Sequence, residues 1–130
     1  MVDITPLVAA NRQVIASYAP GGFKISGVVW RTGVIVFPSR TIAWISTLPQ
    51  NLEGKDFEPL NPFMHEVEVL LLGCGKTAIF PDPALKAFFK GQGISLDAMD
   101  TGAACRTYNV LMAEGRRVAA AMIPMPIKPL

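Results

Sequence analysis

The amino-acid sequence predicts a single α/β domain with a mixed β-sheet. Three observations lead to this prediction. The chain has 130 residues and is 51% hydrophobic, which suits one buried core and leaves no room for a second domain. The first half carries short β-branched runs separated by turn residues. The second half alternates strand-like with helix-like segments, a pattern typical of parallel strands joined by right-handed crossovers.

The N-terminal part of the domain is predicted to be an antiparallel β-region. We take residues 1–11 as a lead-in and residues 12–124 as the domain. Apolar runs lie close together between residues 12 and 45: Val14-Ile15, Phe23-Lys24-Ile25, Val28-Val29-Trp30, Val34-Ile35-Val36-Phe37 and Ile42-Ala43-Trp44-Ile45. The short turns between them favour hairpins. Residues 48–62, with three prolines, are predicted to form a linker, followed by a short helix near residues 62–66.

The C-terminal half is predicted to be β-α-β-α-β, and its first three elements follow from local signals. Residues 67–72 are almost all apolar and end at Gly73, as expected for a strand buried on both faces. Asp82 and Pro83 form an N-cap followed by proline at the first helical position, which predicts a helix up to Gly91. Residues 94–98 alternate between apolar and polar side chains and predict the next strand.

The last helix and strand have the clearest patterns. Residues 101–114 predict a helix that ends at Gly115, with an apolar face formed by Ala104, Thr107, Tyr108, Leu111 and Met112. Residues 118–123 predict a central strand, because its three alanines would let helices pack closely against it. Residues 125–130 are rich in proline and predict an extended, weakly held tail.

Charge and hydropathy exclude several classes of function. The formal net charge is only +2, and Arg116-Arg117 is the one adjacent basic pair, so we expect no nucleic-acid partner. No apolar stretch approaches the roughly 20 residues of a transmembrane helix. The N-terminus has neither the pattern of a signal peptide nor that of a transit peptide. We therefore expect a cytoplasmic protein.

A glycine-rich segment, Gly73-Cys74-Gly75-Lys76-Thr77, follows the first strand of the C-terminal half. It is not a P-loop, because Leu70 stands where the first glycine of that motif belongs. Gly73, Gly75 and Ala78 do match Gly-x-Gly-x-x-Ala, and Asp97 lies 22 residues beyond Gly75, where a ribose-binding acid is expected. Two prolines delay the following helix, however. A nucleotide- or dinucleotide-binding enzyme that uses Gly73, Gly75 and Asp97 is therefore kept as the alternative function.

Other catalytic and metal-binding patterns are absent from the sequence. His65 is the one histidine, and Cys74 and Cys105 lie 31 positions apart, which fits neither a zinc site nor a disulfide framework. We expect no cofactor, no metal and no catalytic residue, and we expect both thiols to be buried. Redox activity of either cysteine is left open.

The remaining polar residues near the last helix are candidates for binding a protein partner. They are Thr101, Arg106, Tyr108, Asn109 and Arg116. In one interpretation Tyr108 packs in the core and the arginines are solvated. In the other, Arg106 and Asn109 face away from the Leu111 stripe and contact a partner, since arginine and tyrosine are common interface anchors.

The segment from Asp100 to Asn109, together with Leu111, Glu114-Gly115-Arg116 and Val118-Ala119-Ala120, resembles the signature of a small family of conserved hypothetical proteins. That family includes mitochondrial complex I assembly factor three and an adipogenesis-associated domain protein. The resemblance covers residues 12–124 and is most specific over residues 97–123. Cys74 departs from it, because threonine is expected between the two glycines.

The resemblance implies a three-layer α/β fold with a mixed sheet, and neither an established enzymatic activity nor a cofactor. For the mitochondrial relative it implies a role in assembling respiratory complex I at the inner membrane through protein contacts. By this resemblance we expect a non-enzymatic interaction or assembly factor, a bacterial cytoplasmic member of a family that is mitochondrial in eukaryotes. Its partners would be proteins such as subunits of a membrane complex. The hydrophobic surplus also leaves a homodimer open.

Overall fold

The computed structural model describes residues 2–4 and 11–127, apart from the side chains of residues 2 and 3. Within these ranges there are nine strands, two α-helices and one 3-10 helix. The elements in chain order are β1 (Val2–Asp3), β2 (Ile15–Ala19), β3 (Gly22–Ile25), β4 (Val28–Trp30), β5 (Gly33–Val36), β6 (Thr41–Trp44), the 3-10 helix (Gly54–Glu66), β7 (Val69–Gly73), α1 (Pro83–Lys90), β8 (Ser95–Met99), α2 (Thr101–Ala113) and β9 (Val118–Met122).

The first four strands form a separate antiparallel sheet in the order β1-β2-β3-β4. Ser26 and Gly27 join β3 to β4 with φ values of 45° and 83°, as a two-residue hairpin turn with left-handed backbone requires. Val2 and Asp3, which the sequence analysis placed in the lead-in, pair with Tyr18 and Ser17 of β2. The antiparallel pairing expected for this half of the chain is confirmed.

The other five strands form a mixed sheet in the order β6-β5-β9-β7-β8. β7 is parallel to both β8 and β9, whereas β5 is antiparallel to both β9 and β6. The predicted α/β fold with a mixed sheet is confirmed, and the alanine-rich strand β9 lies at its centre. The division of the antiparallel strands between two sheets was not predicted from the sequence.

Alternate residues of the mixed sheet point into two separate cores, which explains why its central strands are apolar at every position. Leu70 and Leu72 lie in the core beneath α1 and the 3-10 helix, together with Phe57 and Phe89. Leu71 lies in the opposite core. That core is formed with α2 and the small sheet, whose buried contributions include Ile15, Phe23, Ile25, Ala104, Tyr108 and Met112. The three layers are therefore α1 with the 3-10 helix, the mixed sheet, and α2 with the small sheet.

The prediction of a linker over residues 48–62 is wrong for most of that range. Residues 54–66 form the 3-10 helix, which bends at Phe57, whereas the sequence analysis placed a helix only near its end. Two prolines inside this segment argued against a helix, but packing overrides them. The Phe57 ring lies 5.2 Å from that of Trp44 and 5.1 Å from that of Phe89, and Trp44 Nε1 donates to the carbonyl oxygen of Asp56 at 2.7 Å.

Both α-helices begin and end where local signals place them. Asp82 accepts a hydrogen bond from the amide of Ala84, and Asp100 accepts one from the amide of Ala103, each at 2.8 Å. Gly115, with a φ of 79°, ends α2 in a Schellman motif. Its amide bonds to the carbonyl of Met112, and the next amide bonds to the carbonyl of Leu111.

The buried face of α2 differs from the predicted stripe. Thr107 and Leu111 are only half-buried, whereas Cys105 and Asn109 are buried. The buried set is Thr101, Gly102, Ala104, Cys105, Tyr108, Asn109 and Met112. The buried face of α2 therefore includes Cys105 and Asn109 and lies to one side of the predicted apolar face. The prediction that Asn109 lies on the exposed face is wrong, because that face packs against the small sheet.

Candidate functional site

Thr101 links three elements through hydrogen bonds at the carboxyl ends of the parallel strands. Its hydroxyl donates to the carbonyl oxygen of Ile123 at 2.7 Å and accepts from the amide of Gly75 at 2.8 Å. Its own amide donates to the carbonyl of Gly75 at 2.9 Å. The side chain is completely buried. Thr101 was a predicted partner-binding residue, and the structure corrects this by placing it inside the domain, where it ties β7 and β9 to the start of α2.

Packing and backbone geometry account for both glycines of the predicted nucleotide loop. A Cβ atom at Gly73 would lie 2.8 Å from Met122 Cγ and 3.2 Å from the Cβ of Ala104. Gly75 has a φ of 85°, which favours glycine, and its amide is bonded to Thr101. These positions therefore require glycine without any ligand.

Asp97 does not join these glycines. It is exposed in the middle of the edge strand β8, where it is paired in register with Leu71, two residues before Gly73. The first α-helix after the loop begins only at Pro83, so its N-terminal amides do not belong to the glycine turn. Asp97 thus lies apart from the two glycines of the nucleotide-binding alternative, and nothing supports that alternative.

Both cysteines are free and buried. Burial raises the pKa of the Cys74 thiol, which donates to the carbonyl of Leu72 at 3.6 Å. Burial raises the pKa of Cys105 to about 12, and its thiol lies 3.7 Å from the sulfur of Met122. Because the thiolate is the nucleophilic form, both groups are held in their unreactive state at neutral pH.

Tyr108 and Asn109 are also used inside the protein. The hydroxyl of the buried Tyr108 donates to the carbonyl of Gln13 at 2.8 Å, and burial raises the pKa of this phenol. The amide group of Asn109 bonds to both the N–H and the C=O of Ile15, at 3.1 and 2.9 Å, and to the carbonyl of Ile4 at 3.3 Å. The structure therefore corrects the prediction that these two side chains contact a partner. They attach α2 to the N-terminal strands.

Arg106 and Arg116 are the two predicted partner-binding residues that lie on the surface. Arg106 donates to the hydroxyl of Tyr18 at 2.9 Å. Arg116 donates through Nε to Glu68 at 3.0 Å, and this bond is the main cause of the lowered pKa of Glu68. The two arginines bond to different parts of the fold, so their guanidinium groups are separate points of contact.

An exposed apolar surface beside α1 was not predicted from the sequence. Phe80 is 99% exposed, Phe88 42% and Ile79 39%. They border a groove of about 520 Å³, the Phe80 groove, whose lining residues are Gln50, Asn51, Leu52, Glu53, Gly54, Ile79, Phe80, Pro81, Asp82, Ala84, Leu85 and Phe88. A sequence signal existed, because Ile79 and Phe80 are apolar residues in a loop with no strand or helix period.

In the described part of the chain, no helix is both long and apolar enough to cross a membrane. Over the same residues, no three side chains of His, Cys, Asp or Glu are grouped as a metal ion would need.

Comparison with known proteins identifies the family. A family model described as a protein of unknown function (DUF498/DUF598) matches residues 15–123. The chain belongs to this family. An uncharacterized member from Rhodobacter capsulatus is 34% identical over 117 residues, which cover 90% of this chain and 89% of that protein. The family resemblance drawn from residues 100–120 is thereby confirmed.

Other relatives have names that state a role. NADH dehydrogenase [ubiquinone] 1 alpha subcomplex assembly factor 3 of Danio rerio is 31% identical over 96% of this chain and 72% of its own length. The Homo sapiens protein of the same name is 30% identical over 91% of this chain and 64% of its own length. The chain therefore spans about two thirds of these relatives.

Solved structures of similar proteins share the fold. A Bartonella henselae structure described as an outer membrane protein has a TM-score of 0.79 and 34% identity, covering 89% of this chain and 98% of its own. A Bordetella pertussis protein described as a Mth938-like domain has a TM-score of 0.79 and 25% identity, covering 97% and 94%. The predicted fold class is confirmed by these neighbours.

Proposed function

We propose that this protein is a non-enzymatic assembly factor that binds protein subunits of a membrane complex of the respiratory complex I type. The observation that carries the proposal is the extent of the match to assembly factor 3, which covers 96% of this chain at 31% identity. The part that this chain shares with the assembly factor is therefore the whole α/β domain. We place the protein in the bacterial cytoplasm, where it would meet such subunits before they join the complex.

The positions of the polar family residues support a binding role over a catalytic one. The side chains of Thr101, Tyr108 and Asn109 form hydrogen bonds with the backbone of neighbouring elements. Both thiols have raised pKa values. These groups therefore stabilise the fold, which supports a non-enzymatic role.

Arg106 is the residue that we propose to contact a partner, with Arg116 as a second contact. Arg106 is exposed on α2, and its one hydrogen bond to another side chain in the described structure is to Tyr18. It is free to form bidentate bonds to a carboxylate of another protein. Arg116 is already engaged with Glu68, which makes it the weaker candidate.

A pull-down compares the wild-type protein with Arg106→Glu, using solubilised lysate of the native organism and mass spectrometry. Lys24→Glu is the matched control, because Lys24 is exposed on β3 and the charge change is the same. We expect wild type and the control to recover complex I-type subunits, and Arg106→Glu to recover at least fivefold less. Failure of the wild type to recover any such subunit would overturn the proposed function. Equal recovery by all three proteins would leave that function standing and exclude Arg106 as the contact.

A further inference from the structure

The Phe80 groove combines an exposed apolar rim with a buried apolar floor. Phe80 and Phe88 stand at the rim, and Leu52 and Leu85, which are 8% and 3% exposed, lie at the floor. A phenylalanine that is 99% exposed has no neighbour to replace the water around its ring. Apolar surface of this kind, rimmed by polar residues, marks interaction sites.

The charge of the groove is of one sign. The charged side chains that line it among the described residues are Glu53 and Asp82. Asp82 uses Oδ1 to cap α1, and Glu53 lies 3.5 Å from Lys55 in a pair that is mostly exposed, where ion pairing contributes little. The acidic rim is therefore complementary to lysine or arginine on a partner.

The elements around the groove also restrict how a partner can bind. They are the loop after β7, helix α1 and the segment before the 3-10 helix. None of the described residues that line the groove belongs to a strand, so strand addition to a sheet is not the binding mode that this surface offers. An amphipathic helix with basic residues beside its apolar face fits both the apolar floor and the acidic rim of the groove.

We propose that the Phe80 groove binds an amphipathic helix of a protein partner, with apolar anchors against Phe80 and Phe88 and with a lysine or arginine beside Glu53 and Asp82. This inference rests on the proposed function and adds the surface and the chemistry of the partner. It assigns the apolar anchoring to a face other than the one that carries Arg106.

The test uses two synthetic peptides of about 18 residues that form amphipathic helices, one of leucine and lysine and one of leucine and glutamate. Each is titrated into the isotope-labelled full chain, followed by NMR shifts and fluorescence anisotropy. We expect the leucine–lysine peptide to shift residues 50–54 and 79–88, and to bind at least tenfold more tightly than the leucine–glutamate peptide. Shifts confined to other residues, equal affinities or absence of binding at millimolar peptide would overturn the proposal.

Variants separate the apolar from the charged contribution. Phe80→Ser alters a fully exposed side chain and should leave folding unchanged. It should lower the affinity for the leucine–lysine peptide at least tenfold. The double variant Glu53→Gln/Asp82→Asn removes both charges, and an asparagine side chain can still cap α1 at position 82. This double variant should abolish the preference for the basic peptide. Val110→Ser, an exposed apolar position on α2, is the control and should bind as wild type does. Equal binding by wild type and Phe80→Ser would overturn the proposal.

Two further measurements test whether the Phe80 groove instead binds a second copy of this chain or a lipid surface. Sedimentation that shows wild-type dimers and Phe80→Ser monomers would assign the groove to a second copy of this chain, and Phe80-dependent binding to anionic vesicles would assign it to a lipid surface. Either result would overturn the helix proposal. In the lysate pull-down, equal recovery of complex I-type subunits by wild type and Phe80→Ser overturns this inference and leaves the proposed function standing. Recovery of none by the wild type overturns the proposed function itself.

Discussion

The side chain of Asn109 pairs with the backbone of Ile15 as a neighbouring strand would. Its Oδ1 accepts from the amide of Ile15 at 3.1 Å and its Nδ2 donates to the carbonyl of the same residue at 2.9 Å, although the two residues are 94 positions apart. The pairing of β2 with β3 is irregular between Ile15 and Ser17. Asn109 thus satisfies backbone groups at an irregular part of the small sheet and fastens α2 to it.

We expect Asn109→Ala to lower the free energy of unfolding by about 2–4 kcal/mol, because it leaves the buried N–H and C=O of Ile15 without these partners. Urea denaturation followed by circular dichroism measures the change. Val110→Ala is the matched control on the next, exposed position of the helix and should change stability by less than about 0.5 kcal/mol. A loss for Asn109→Ala no larger than for the control would show that the amide does not hold the two elements together.

Thr101→Val is expected to destabilise the domain by about 1–3 kcal/mol, because the isosteric side chain cannot accept from the amide of Gly75 or donate to the carbonyl of Ile123. Thr107→Val is the control, on the half-buried side of the same helix. Hydrogen exchange adds a local readout, since the Gly75 amide should lose protection in Thr101→Val alone. Unchanged protection of that amide would contradict the role assigned to the hydroxyl.

The elements that could be predicted from the sequence are those specified by local chemistry. Asp82 and Asp100 cap helices whose first turns follow directly, and Gly115 ends a helix through its own backbone. The first part of the 3-10 helix, residues 54–61, could not be predicted, because it depends on burying Phe57 against Trp44 and Phe89, which lie in other elements.

The candidate site was harder to predict for the same reason. In an analysis of hydrophobic periodicity, a polar residue such as asparagine is assigned to the surface. The hydrogen bonds between Asn109 and Ile15, which bury Asn109, are visible only in the structure. The glycine motif is visible in the sequence, but the contact that requires Gly73 comes from Met122 on another strand. The opposite holds for Phe80. A phenylalanine is expected in the core from its hydrophobicity alone, but Phe80 lies on the surface.

Gly73→Ala is expected to destabilise the protein by about 1–3 kcal/mol, because the new methyl group would lie 2.8 Å from Met122 Cγ and overpack the core. Met122→Ala removes that atom, so the double variant should be more stable than the sum of the two single changes predicts. A double-mutant cycle in urea measures this coupling. Strict additivity would show that Met122 is not what excludes a side chain at residue 73.

Stability should fall in alkali because three buried acids, Cys74, Cys105 and Tyr108, hold their protons in the folded state. Burial raises the pKa of Cys105 from 9.0 to about 12, and it raises that of Tyr108 from 10.0. Above pH 9 the unfolded chain loses protons that the folded chain retains, so the stability present below pH 9 declines by up to about 1.4 kcal/mol per pH unit for each group. Urea denaturation from pH 8 to 11 measures this slope, with Cys105→Ala as the comparison. The variant should show a shallower decline beginning near pH 9, and identical slopes in the two proteins would contradict the burial of this thiol.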